Sequence, residues 1–212
     1  YTPDQIQLRK DYRERLEAVM TPERRAAVAG LAEGGAAVSE VRRALGAAGL
    51  LGVAWPTEYG GHGLGAMEQY IFGEEARRVN APLPMITLNT VGPTLIQFGT
   101  DEQKEKYVRP VLAGERFAAE CLTEPRGGSD FFGSTSFAED HGDHFLLNGQ
   151  KRFIVGAEGA DFFLVYAKTS REAAPHESLT CFIVDRAPGV SVEYLYGLLG
   201  CRGGGTGARG PA

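Results

Sequence analysis

The chain has 212 residues, of which 29 are Gly and 11 are Pro, and a formal net charge of −5. Hydrophobic residues make up 43% and charged residues 23%, a balance that supports a folded core in one large or two ordinary domains. The glycines follow no G-X-Y period, which excludes collagen. No apolar stretch nears the roughly 20 residues of a membrane span, and a mildly acidic balance gives no reason to expect nucleic acid. Tyr1–Met20 interleaves Arg with Glu and lacks the basic, apolar and small regions of a leader. Cys121, Cys181 and Cys201 are far apart and without CxxC spacing. They read as buried or inert thiols of a reducing, cytoplasmic compartment, neither a metal site nor a disulfide framework.

In chain order, Leu8, Tyr12, Leu16 and Val19 form one stripe of an amphipathic helix. Thr21-Pro22-Glu23 restarts a helix, with Thr21 as N-cap and Pro at the first helical position. Residues 28–37 are Ala/Gly-rich and read as a mobile connection. Val41–Leu50 is helical and stops at Gly52. Trp55 to Gly61 is a turn-rich break, and helices are predicted over Ala66–Val79 and Ile86–Phe98. Thr100 followed by Gln103 is a capping box, and Pro110 is expected to kink the helix that follows. Glu74-Glu75 and Arg77-Arg78 read as a charged helix face making i,i+3 pairs.

After Phe117 the pattern changes to short β-type runs: Phe117–Leu122, Ser134–Ala138, His144–Asn148, Phe162–Ala167, Leu179–Val184 and Val190–Leu195. His141-Gly142-Asp143 and Asn148-Gly149 are hairpin-type punctuation. The expected architecture is an all-α helical domain, residues 1–116, followed by a small antiparallel β-barrel domain, residues 117–212. Ala208 to Ala212 shows no strand character.

The strongest local signal is Cys121-Leu122-Thr123-Glu124-Pro125-Arg126-Gly127-Gly128-Ser129-Asp130. Gly127 and Gly128 permit positive φ, which would turn successive N–H groups toward one anion, and Ser129 adds a hydroxyl. The competing reading is a strand-ending turn with a Ser/Asp cap. Gly203-x-Gly205-x-x-Ala208 fits a dinucleotide fingerprint only superficially, since no strand–turn–helix unit accompanies it. His62, His141, His144 and His176 lack ligand spacing and read as solvated.

At Thr123 to Asp130 the chain resembles the acyl-CoA dehydrogenase family, whose middle domain carries a "TEP-x-x-GSD" loop. The resemblance continues in order through Trp55-Pro56 with Tyr59-Gly60-Gly61, Phe98 to Lys104 ("G-T-x-E-Q-K"), Asn148-Gly149-Gln150-Lys151 ("NG-x-K"), and Gly200-x-Arg202 with Thr206. Leu16–Ala26 and Pro82–Thr94 are most similar to the actinobacterial branch acting on sterol side-chain acyl-CoA thioesters.

The resemblance implies FAD as cofactor and dehydrogenation of an acyl-CoA across its α–β bond, with an electron-transfer flavoprotein or similar acceptor and a homo- or hetero-oligomer. It places Cys121, Leu122 and Thr123 along the flavin, Gly128 and Ser129 at its pyrophosphate, and Phe153 and Val155 against the isoalloxazine. Glu120, with Ser129, falls on the substrate side. The catalytic base is expected beyond residue 212, in a C-terminal four-helix domain, so none is assigned here. Two positions depart from the family pattern. Val155 stands where a Thr or Ser hydroxyl is common, and Glu120 puts a carboxylate where an apolar or aromatic side chain is common, which is costly unless paired. Arg126 adds a cation to the loop. Val155 and Glu120 motivate one alternative, a non-catalytic partner subunit of a heteromeric assembly; a flavin-dependent oxidase on the same fold is another.

Overall fold

The computed structural model describes residues 1–29 and 35–196, and the backbone of 207–209. Residues 30–34 of the 28–37 connection, and the Gly200-x-Arg202 and Thr206 motif with Cys201, lie outside the described residues. Helix α1 (Pro3–Val19) opens on a capping box, Gln5 N donating to Thr2 Oγ1 and Thr2 N to Gln5 Oε1, and buries Tyr12, Leu16 and Val19 from the predicted stripe. Helix α2 (Pro22–Val28) starts as read, its Arg24 N donating to the Thr21 hydroxyl. Helices α3 (Ala36–Ala47) and α4 (Ala66–Arg78) follow. The charged face expected on α4 is not all solvated. Glu75 is 1% exposed, held by Arg9 at 2.9 Å and Arg13 at 2.8 Å from α1, with Arg78 at 3.5 Å in the i,i+3 position.

Two prolines shape what comes next. A π turn, Thr87–Val91, leads into α5 (Gly92–Phe98), which contains Pro93. A second π turn, Lys104–Val108, joins α6 (Asp101–Gln103) to α7 (Arg109–Leu112), which contains Pro110. A proline ring meets the carbonyl four residues earlier in a regular helix. Those carbonyls, on Asn89 and Lys106, both fall inside the widened turns, so the expected kink at Pro110 is absorbed as a π segment. Trp55 is 3% exposed, and its Nε1 donates to Leu88 O at 2.7 Å. Gly92 lies flat on that indole: a Cβ there would come within 1.9 Å of the ring.

The β region differs from an antiparallel barrel. Strands β1 (Ala118–Cys121), β2 (Phe137–Asp140), β3 (Phe145–Asn148), β5 (Phe162–Lys168) and β6 (Leu179–Asp185) form one sheet; β4 (Lys151–Ile154), β7 (Val192–Leu195) and β8 (Gly207–Arg209) form another. The first sheet is mixed, because β1 pairs parallel with β5, Glu120 opposite Leu164, and β2 also meets β5 in parallel. The pairs β2–β3, β5–β6, β4–β8 and β7–β8 are antiparallel. His141 to Asp143 is the hairpin turn it was read to be, with Gly142 at φ +89°. Asn148-Gly149 is not, since β3 and β4 belong to different sheets. It is a corner, where a Cβ on Gly149 would come within 2.1 Å of Ser136 Oγ. Ala208 and Arg209 are in a strand after all, set by pairing to β4 and β7 rather than by propensity.

The first sheet is the middle layer. Ala118, Phe162 and Leu164 on one face join the helical core built on Leu16, Leu45, Trp55 and Phe72. Ala119, Cys121, Phe163 and Val165 on the other face pack with Ile154 of the second sheet. Burial on both faces explains why β5 opens as a continuous apolar run, Phe162–Val165. Two polar joints tie the layers. The Thr87 hydroxyl donates to Ala118 O at 2.7 Å and accepts from Ala118 N at 3.0 Å. Asp185 accepts from Lys106 at 2.7 Å, Arg116 at 2.6 Å and Tyr107 at 3.1 Å. Among the described residues no helix is long and apolar enough to cross a membrane.

Thr87→Val keeps the volume but leaves the Ala118 N–H and C=O buried without that partner. The expected loss is about 1–3 kcal/mol, read as a lower urea midpoint at unchanged slope.

Candidate functional site

The site begins where β1 ends at Cys121. The chain leaves the sheet through Leu122 and Thr123 and folds back on itself, Glu124 N donating to Gly127 O at 3.0 Å and Gly127 N to Glu124 O at 3.2 Å. Pro125 and Arg126 form the tip. The loop is anchored from below. Glu124, 5% exposed, accepts from Ser134 Oγ, from Thr135 N at 2.6 Å, Thr135 Oγ1 at 2.7 Å and Ser136 N at 2.9 Å, and from Lys151 Nζ at 2.9 Å. Lys151, 2% exposed, also donates to Leu122 O at 3.2 Å. Burial alone would raise the Glu124 carboxyl. The hydrogen bonds from Ser134, Ser136, Thr135 and Lys151 outweigh it and hold the group well below the usual carboxylate range. Burial pulls the Lys151 ammonium down, against the pull of the carboxylate beside it.

This buried pair joins three segments: the β1 exit, the approach to β2, and β4. It also sets β4 beside the loop, since Arg152 N donates to Thr123 O at 2.8 Å. Neither Glu124 nor Lys151 declares this pairing in the sequence, where β4 itself carries no strand signal; a Lys is fully buried only when its charge is paired, and the partner here comes from another segment.

The expected positive φ at Gly127 and Gly128 is absent. A Cβ on Gly128 would lie 3.4 Å from Thr123 Cγ2, so the loop returns over Thr123. The left-handed conformation occurs instead at Phe153, at φ +57°, within a register irregularity between Lys151 and Ile154. Its ring is 55% exposed, and Val155 is 40% exposed, while Ile154 between them is buried. Leu122, Thr123, Gly128, Phe153 and Val155 are thus gathered around the junction of loop and β4, with Ser129 and Arg126 exposed on the loop itself. A cleft of about 230 Å³ lies under the loop, lined by Leu122, Arg126, Asp130, Phe131 and Thr135 among others.

Cys121 is separate from that surface: it is fully buried with Phe163, Val165 and Ile154, so the expected flavin contact at Cys121 has no exposed atom to make it. Glu120 projects from the opposite face of β1. It is half-buried, its Oε1 accepting from Tyr166 OH at 3.3 Å, and Phe131 meets Tyr166 edge-on at 5.3 Å. Burial raises the Glu120 carboxyl, opposed by the Tyr166 hydrogen bond. Cys181, paired across from Tyr166, is exposed rather than buried, and desolvation pushes its thiol up to about 11. Among the described residues no group of three His, Cys, Asp or Glu is placed to hold a metal ion.

Lys151→Met strands the Glu124 carboxylate, with an expected loss of about 3–5 kcal/mol in a denaturant titration. Because the folded-state pKa of Glu124 is depressed, its stabilisation is present above the unfolded value of about 4.3 and is lost as pH falls through the folded value. Glu124→Gln is therefore expected to flatten the acid limb of the stability–pH profile, followed by circular dichroism.

Comparison with known proteins identifies the family. Residues 2–115 match the acyl-CoA dehydrogenase N-terminal domain, and residues 119–208 the acyl-CoA dehydrogenase middle domain. The acyl-CoA dehydrogenase FadE29 of Mycobacterium tuberculosis is 41% identical over 191 residues, 90% of this chain and 49% of FadE29. A solved structure, the Tcur3481–Tcur3483 steroid ACAD, superposes with a TM-score of 0.89 at 36% identity, over 100% of this chain and 55% of that one. An acyl-CoA dehydrogenase complexed with FAD from Bacillus anthracis gives 0.83 at 28% identity, over 100% and 36%. The chain spans about half the length of the curated relatives it matches. With both domain profiles matched in order and a helical domain followed by a β-sheet domain, the chain belongs to the acyl-CoA dehydrogenase family.

Proposed function

We propose that this chain holds FAD in an enzyme that oxidises the α–β bond of an acyl-CoA thioester. The observation that carries the reading is the junction of the loop with β4: an exposed aromatic ring held at positive φ beside a strand exit rich in polar backbone. The residues fit the cofactor. A flavin needs an apolar face, polar groups at its edge and a phosphate-tolerant loop. Phe153 and Val155 supply the face, Leu122 backbone and the Thr123 hydroxyl the edge, and Gly128 and Ser129 with the Arg126 cation the loop.

When bound, FAD supplies the acceptor for the hydride that leaves Cβ as Cα loses its proton. The protein's part is orientation and electrostatics. Glu124 is not a candidate base, since five donors and burial keep its carboxylate occupied. Glu120 is assigned to the acyl side with Ser129, because it faces away from the Phe153 surface and shares an aromatic, half-buried setting with Tyr166 and Phe131. The proton-abstracting base is assigned outside this chain's described residues, in the part of the family architecture beyond residue 212. A steroid-type acyl group is the favoured substrate class, on the likeness to a structure named as a steroid ACAD. The name of that structure pairs two gene products, which favours a hetero-oligomer over a homo-oligomer. The electron acceptor is assigned as an electron-transfer flavoprotein or similar carrier, and the location as cytoplasmic.

The test is the visible spectrum of the purified full-length protein with added FAD, before and after anaerobic addition of acyl-CoA. Bound flavin that bleaches is the expected result. Protein that stays colourless and takes up no FAD would overturn the reading in favour of a partner subunit, and rapid peroxide release on reoxidation would identify an oxidase.

A further inference from the structure

We propose that Arg152 and Tyr196 are positioning residues that set the tilt of the Phe153 ring and so the face it offers to the flavin. The inference rests on the reading of Phe153 as a flavin contact, and it concerns two residues that this reading does not use. Phe153 is unusual twice over. A bulky residue at positive φ is strained, and it persists only where its surroundings hold it. The surroundings hold the backbone on both sides: Lys151 through its buried pair with Glu124, Arg152 through its N–H to Thr123 O, and Ile154 through burial. None of these touches the ring, which is more than half exposed.

The ring is held by a separate assembly on the second sheet. Tyr196, just past β7, lies against Phe153 with centroids 4.9 Å apart and planes inclined at 30°. Arg152 Nε donates to the Tyr196 hydroxyl at 2.9 Å, and its guanidinium lies 5.3 Å from the Phe153 centroid and 5.9 Å from that of Tyr196. One side chain therefore fixes the Tyr ring by its hydroxyl and covers both rings with its planar cation. Tyr194 supports the group from β7, edge-on to Tyr196 at 4.9 Å. Phe153 has two side-chain torsions, and Tyr196 and Arg152 block part of the arc its ring would otherwise sweep. An exposed cluster of this kind adds little to global stability, whereas restricting a ring before a ligand arrives lowers the ordering cost of binding.

The experiment measures FAD affinity by fluorescence titration and the visible circular dichroism of the bound flavin, with thermal unfolding as the control for folding. Phe153→Leu is expected to raise the dissociation constant about tenfold or more. Tyr196→Phe keeps the ring and loses only the hydroxyl; Arg152→Gln removes the cation. Each is expected to raise the constant roughly threefold to tenfold, the worth of one net hydrogen bond, and to change the flavin's visible dichroism. The two together are expected to cost no more than the larger single effect, because both act through the same ring. Wild-type affinity and dichroism in Tyr196→Phe and Arg152→Gln, with Phe153→Leu impaired, would overturn the positioning role and leave the flavin contact standing. Wild-type affinity in Phe153→Leu would overturn the contact itself and the positioning role with it.

Discussion

The buried pair of Glu124 and Lys151 organises the β region. Two charges removed from water are costly, and their attraction offsets that cost only when the remaining lone pairs and protons are also satisfied. Here they are: the carboxylate receives Ser134, Thr135 and Ser136, and the ammonium reaches the Leu122 carbonyl. The three segments that meet at this pair come from both sheets, the β1 exit and the approach to β2 from one and β4 from the other. Hydrophobic burial would hold them together without specifying their register. The directional bonds of one carboxylate do specify it, and the position of Thr123 against β4 follows.

The middle layer then decides which groups share a surface. Residues alternate between faces along β1, so Ala119 and Cys121 enter the core between the sheets while Glu120 points the other way. Glu120 and Phe153 are therefore reached from different sides of the same strand exit. That separation suits two ligands meeting at one edge, a flavin against Phe153 and an acyl group against Glu120 and Tyr166. The helical layer is held to this arrangement by the Thr87 bridge to Ala118 and by the cations on Asp185, which makes the helical region part of the site's geometry.

Much of this was legible in the chain itself. The Leu8–Val19 stripe, the Thr2-independent caps at Thr21 and Thr100, and the break at Trp55 correspond to local physics, and local physics is written in adjacent residues. What was not legible depends on distant partners. The strand at Gly207–Arg209 is too short and too glycine-rich to declare itself and exists through its neighbours. Asn148-Gly149 has the composition of a hairpin turn, and only the contact of Gly149 with Ser136 shows that the chain changes sheet there. At the site, the glycines drew attention to backbone freedom, yet the strained residue is Phe153 and the glycine run uses ordinary φ. The i,i+3 pair of Glu75 with Arg78 is written in adjacent residues, whereas the burial of Glu75 under Arg9 and Arg13 depends on another helix.

On the proposed function, the polar network around Glu124 and Lys151, rather than burial alone, presents the cofactor surface. The direct measurement is FAD affinity of the double variant Glu124→Leu with Lys151→Met, made beside its unfolding midpoint. Apolar replacement of a buried ion pair is often neutral for stability, so the variant is expected to fold. The account predicts that it folds with native circular dichroism and binds FAD at least about tenfold more weakly. A folded variant that binds FAD as tightly as the wild type would contradict it.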